Sequence, residues 1–159
     1  MHGDPRIIDL LNQVLRKELT GINQYFIHSP DVPELGLRRP RQASLRRIHR
    51  RDEACRQDHR AHPLPGRRPQ PSPTYDPIQV GRDVRQQIAA DLSLEMAALQ
   101  VLRPGVQLCL EAGDHASREL LEHIVEDEEQ HVDWIEAQLH KIEEVGYQGY
   151  LAQQIYERS

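Results

Sequence analysis

Glu128 and His131 stand three residues apart in the run Asp127-Glu-Glu-Gln-His-Val-Asp-Trp134. On a helix that spacing brings a carboxylate and an imidazole to one face, roughly 5–6 Å apart at Cβ, close enough to bind one metal ion together. Leu121, Ile124, Ile135 and Leu139 fall along the same helical stripe, so the pair faces a core. An acid inside an apolar stripe needs a partner, because an unpaired buried charge is costly; a metal is one such partner.

Two further acids repeat the pattern. Glu18 lies on the line Leu11, Val14/Leu15, Glu18, Ile22, Tyr25, and Glu95 on the line Ile88, Leu92, Glu95, Leu99, Leu102. Taken singly, such a glutamate is more often tilted toward solvent or ion-paired, and a lone core histidine is more often simply hydrogen-bonded. Three acids and a histidine in one core would crowd like charges, which raises carboxylate pKa values unless a cation sits among them. Carboxylate and imidazole donors without thiolate suit Fe, Mn or Zn. Tyr25 lies two turns beyond Glu18. It either hydrogen-bonds a ligand carboxylate or is an ordinary core tyrosine. Trp134 reads as a packing residue.

The elements that must position these residues are helices with strong apolar periodicity. The first spans 4–28, opened by Asp4-Pro5 as cap and first helical residue, with Ile7, Ile8, Leu11, Val14, Leu15, Ile22, Tyr25 and Phe26 on its apolar face. The next is expected over about 77–112, opened by Asp76-Pro77 and closed by the turn signal Glu111-Ala112-Gly113-Asp114, with Pro104 kinking or breaking it. Another is expected over about 114–144, and after Gly146 a short helix over 147–156.

Composition excludes several classes. Aromatic residues make up 4% of the 159 residues, which argues against a β sandwich or barrel, and the formal net charge of −5 gives no general reason to expect nucleic acid. The length suits one domain with a real core. Two cysteines, Cys55 and Cys109, form no disulfide framework and fit a reducing, cytoplasmic setting. There is no signal-sequence pattern and no apolar run of membrane-spanning length.

Residues 29–73 break the pattern. They hold 11 of the chain's 18 arginines and 8 of its 11 prolines, with no aromatic residue and no lysine. Their formal charge is +6, against −11 for the remainder. On composition this is an irregular Arg/Pro-rich loop, far longer than a compact domain tolerates between elements. Its only proline-free window long enough for a helix is Ala43 to Arg60.

Ferritin-like di-iron proteins draw a Glu from each of two helices and a Glu-x-x-His from each of two others. Here Glu18, Glu95 and Glu128-x-x-His131 supply all but the second Glu-x-x-His. The run Leu19 to Ile27, the motif Asp91-Leu-Ser-Leu-Glu95, the stretch from Ser117-Arg-Glu-Leu-Leu to Trp134, the start Met1-His-Gly-Asp and the ending Gly149 to Ile155 resemble bacterioferritin, the haem-containing iron-storage ferritin of bacteria. The resemblance covers residues 1–28 and 75–159. It implies an all-α, ferritin-like four-helix bundle plus a short C-terminal helix, as a single domain over 1–159. It also implies a homo-oligomeric 24-subunit shell, with Fe(II) oxidised at a di-iron centre and dioxygen or peroxide taking the electrons. Glu18, Glu95, Glu128 and His131 are then the metal ligands and catalytic residues. Haem b, which the family seats between paired subunits on a methionine from each, has no such methionine here. Met96, next to Glu95, belongs to a different helix from the one on which the family carries its haem methionine.

In the family, residues 29–73 would finish the first loop and form the second bundle helix, whose core reads Tyr-Asp/His-Glu-Ser-Ile-Asp-Glu-Met-Lys-His-Ala-Asp. In GC-rich codons with one nucleotide inserted upstream, Asp-Glu (GAC GAG) becomes Arg-Arg (CGA CGA), and the stretch becomes approximately Leu-Arg-Arg-Val-His-Arg-Arg-Asp-Glu-Ala. The chain reads Leu45-Arg-Arg-Ile-His-Arg-Arg-Asp-Glu-Ala54. The segment is therefore expected to be an out-of-frame translation that ends before Thr74-Tyr75-Asp76-Pro77. The second helix is then disrupted or replaced, and the missing Glu-Met-x-His falls at Arg51 to Ala54. The expected function is iron storage and detoxification with ferroxidase chemistry. The alternatives are a ferritin-like subunit without that activity and, through the arginines, a nucleic-acid binder. The segment lacks the aromatic interleaving and regular spacing of the last class.

Overall fold

A computed structural model describes residues 4–28 and 75–156. Among them are four helices and no strand: α1 (Pro5–His28), α2 (Val84–Glu111), α3 (His115–Val145) and α4 (Tyr147–Tyr156). The chain is all-α, as expected. The expectations for residues 29–73, including the helix window Ala43–Arg60 and the disrupted second helix, lie outside the described residues.

Each helix begins and ends for a local reason. Asp4 accepts from the Arg6 amide (2.9 Å) and opens α1. Asp83 accepts from the Gln86 amide (2.8 Å) and caps α2. At the far end of α2 the Asp114 amide bonds the Cys109 carbonyl (2.9 Å) and the Gly113 amide bonds the Leu110 carbonyl (3.1 Å), with Gly113 at φ 69°. This is a Schellman stop, which requires a residue in the left-handed region. Asp114 then caps α3, accepting from the Ser117 amide at 3.0 Å and its hydroxyl at 2.8 Å. The reversal between two long helices is therefore only residues 112–114.

The expected start of α2 is corrected, and of the two effects expected at Pro104 a break does not occur. The helix opens at Asp83, not at Asp76-Pro77. Residues 75–83 run outside any helix because side chains of α1 take their backbone amides: Thr20 Oγ1 accepts from Asp76 (3.1 Å) and Gln24 Oε1 from Gln79 (3.2 Å). The helix also passes unbroken through Pro104. Pro104 takes the amide donor from the Gln100 carbonyl, and both residues are exposed, on the side of the helix where the loss costs least. Next to it, Gly105 lets α1 come close, since a Cβ there would lie 2.8 Å from Leu10 Cδ2.

The helices α1 and α3 pack on α2, and α4 packs on α3. One core cluster joins Leu10, Leu11 and Val14 of α1 with Ala98 and Leu102 of α2 and Leu121 and Ile124 of α3. A second joins Ile88, Ile135, Ile142 and Tyr150, with Trp134 packed against it as expected. The predicted stripes are largely buried, with one exception: Phe26, assigned to the apolar face of α1, is 73% exposed. The inward positions beside it belong to Gln24, Tyr25 and His28.

Candidate metal centre

Between the two apolar clusters the core turns polar. Glu95 of α2 and Glu128 and His131 of α3 are buried together, each offering a ligand atom within 4.8 Å of the other two. His131 Nδ1 lies 3.5 Å from Glu128 Oε2 and 3.8 Å from Glu95 Oε1. The i, i+3 spacing read in the sequence thus faces the core, and Glu95 meets it from the neighbouring helix. Glu95 is completely buried and Glu128 2% exposed.

Tyr25 settles between its two readings by touching the site: its hydroxyl donates to Glu95 Oε1. Three helices therefore contribute, with α2 in the middle. Glu18 is also buried, at mid-length on α1, but the three-residue group does not include it. Position Arg51–Ala54, expected to lack the second ligand pair, is outside the described residues. Met96 is 45% exposed.

The donor set fits a hard or borderline cation. Two carboxylates forced together in a dry core repel, and each costs several kcal/mol to desolvate; a divalent ion between them reverses both effects. Oxygen and imidazole donors without thiolate suit iron, manganese or zinc.

A polar network beside the site went unforeseen. Gln24 Nε2 and His28 Nδ1 both meet Asp91 Oδ1, at 3.0 and 2.8 Å, in the buried contact between α1 and α2. Its signal was available: Lys17, Thr20, Gln24 and His28 recur at helical spacing. Reading only for apolar stripes passes over such a row.

Comparison with known proteins agrees with this architecture. The family described as "Ferritin-like domain" matches residues 8–145. A bacterioferritin of Mycobacterium leprae is 38% identical over 159 residues, covering 96% of each chain. That of Mycobacterium bovis is 37% identical over 158 residues, again 96% of each. The chain belongs to the bacterioferritin family. A more distant bacterioferritin, from Rhodobacter capsulatus, is 31% identical across 94% of this chain and 92% of its own. Such coverage is too high to leave out residues 29–73. The bacterioferritin relatives therefore have a segment of similar length there. The fold is ferritin-like, and the family is the iron-storage family that the motifs resembled.

Proposed function

We propose that this chain takes up Fe(II) as substrate at the site around Glu95, Glu128 and His131, promotes its oxidation to Fe(III), and contributes to storing the product in a homo-oligomeric shell. The observation that carries this reading is the buried group of two carboxylates and one imidazole within a bacterioferritin fold. Anionic oxygen donors bind Fe(III) more tightly than Fe(II), so the site favours loss of an electron. Each Fe(II) gives up one electron, and dioxygen or peroxide accepts it. Glu18 is assigned as a terminal ligand from α1 for a second iron. Tyr25 holds Glu95 in place through its hydroxyl. The acidic remainder of the chain, −11 outside residues 29–73, concentrates cations near the surface. The free buried Cys109 suits a reducing cytoplasm. No haem role is assigned to this chain.

A second reading rests on one specific observation. No glutamate in residues 29–73 has a histidine three positions later, so the chain as written supplies one Glu-x-x-His where a di-iron centre uses two. It would then bind a single metal ion and oxidise iron no faster than solution does. Aerobic addition of Fe(II), followed by the ferric absorbance, separates the two. Oxidation several-fold above buffer supports the ferroxidase reading, and a rate equal to buffer leaves a non-catalytic subunit.

Residues 29–73 are proposed to be an out-of-frame translation. The similar length of the relatives over this region supports this, since two compensating shifts exchange residues without changing their number. Resequencing codons 25–80 tests it; an unbroken frame that still encodes these arginines sinks it. Salt-sensitive DNA retention would instead favour a nucleic-acid role for the segment.

A further inference from the structure

One face of α1 carries Lys17, Thr20, Gln24 and His28 at intervals of three or four residues, and all four grip residues 76–81. Lys17 Nζ bonds Asp76 Oδ2 at 2.7 Å, and Thr20 Oγ1 accepts from the Asp76 amide at 3.1 Å. Gln24 Oε1 accepts from the Gln79 amide at 3.2 Å, and His28 Nε2 from the Gly81 amide at 3.4 Å. The apolar packing of α1 on α2 is thereby joined by a row of directed bonds from α1 to the segment that leads into α2.

The two upper rungs do not end at α1. Gln24 and His28 each turn their other polar atom to Asp91 of α2. The direction of every bond in this network follows from its ends. A carboxylate only accepts and a backbone amide only donates. Gln24 must therefore present its NH2 to Asp91 and its oxygen to Gln79, while His28 carries its proton on Nδ1 and its lone pair on Nε2. Asp91 thus sets the orientation of both side chains that hold the 76–81 segment. It also stands one helical turn before Glu95, as Gln24 and His28 flank Tyr25, which donates to Glu95.

We infer that Asp91 is a positioning residue for the metal centre: it fixes the register of α1 on α2 at which Tyr25 reaches Glu95, and couples that register to the 76–81 segment. This rests on the metal-binding reading above. It assigns Asp91 no contact with the ion. Partners behind a ligand typically change metal affinity by 10–100-fold when removed.

The test compares the full chain with Asp91→Ala, Asp91→Asn and Gln24→Met, using Co(II) as probe. Asn keeps an oxygen that can accept from both Gln24 and His28. Met keeps the length of Gln24 without its polar ends, and provides a second route if Asp91→Ala does not fold. Two readings are taken: Co(II) affinity from its visible absorption, and hydrogen exchange of the Gln79 and Gly81 amides. Expected are at least tenfold weaker Co(II) binding and at least tenfold faster exchange in Asp91→Ala and Gln24→Met, with Asp91→Asn within about threefold of the parent in both. Parental Co(II) affinity in Asp91→Ala or Gln24→Met overturns the inference, whether or not the amides loosen. So does an Asp91→Asn that is as weak as Asp91→Ala. Should the parent itself bind no Co(II), the metal reading falls separately. Crystal structures of the parent and Asp91→Ala then decide the positioning claim: a lost Tyr25–Glu95 bond upholds it and a retained one overturns it.

Discussion

On the proposed reading, an ion stabilises the histidine and two glutamates that are buried together. Binding to the folded state alone adds about 2.7 kcal/mol at a hundredfold excess of ion over Kd. Scanning calorimetry with Co(II) should therefore raise the melting temperature of the parent, and the rise should vanish in His131→Ala and Glu128→Gln. Equal rises in parent and variants would move the ion to another site. Tyr150 gives a pH prediction. Burial pushes its hydroxyl pKa up, whereas an unfolded tyrosine ionises near pH 10, so above about that pH the unfolded state has lost a proton the folded state keeps. Stability is then complete below about pH 10 and falls as pH rises. Urea midpoints between pH 9 and 11 should drop for the parent and drop less for Tyr150→Phe. The Cys109 thiol is pushed up by burial and then by the Asp114 charge. It contributes in the same direction and should resist alkylation until the chain unfolds.

At the scale of elements, the close approaches carry the strain. A Cβ at Gly81 would lie 2.3 Å from the Gln87 nitrogen and 2.6 Å from the Gln86 carbonyl carbon. Backbone atoms cannot rotate aside as a side chain can, so Gly81→Ala should lose about 1–3 kcal/mol by urea titration and shift the start of α2. Gly113→Ala meets nothing in space, but its φ of 69° makes the alanine about 1–2 kcal/mol less stable. Leu121, fully buried where α1, α2 and α3 meet, should cost about 2–5 kcal/mol as Leu121→Ala. If Leu121→Ala were no worse than Gly113→Ala, the three helices would not share one core. Helix interiors were legible from periodicity, because burial on one face imposes it. The start of α2 was not. Asp76-Pro77 carries the same local cap chemistry as Asp4-Pro5, and only the side chains of α1, distant in sequence, claim the amides that a helix there would use.

Over the whole molecule, the oxidation reading and the frame reading meet. A chain whose residues 29–73 are restored to the in-frame family sequence should regain a second Glu-x-x-His and oxidise Fe(II) at least tenfold faster than the chain as written, since one missing ligand pair removes an entire iron position. Stopped-flow absorbance measures it; equal rates would mean that the site on α2 and α3 already suffices. No helix among the described residues is long and apolar enough to cross a membrane.

The sequence by itself determined the helices, the family and the inward placement of Glu95, Glu128 and His131, because helical spacing fixes which residues share a face. It also set residues 29–73 apart by their arginine and proline content alone. Only the tertiary structure decided which faces meet. It brought Glu95 to the Glu128–His131 pair, chose the hydrogen-bonding role for Tyr25, turned Phe26 outward and assembled the Asp91 network. Each of these depends on contacts between helices far apart in the chain, and a periodicity within one helix holds no record of its neighbour's height or angle.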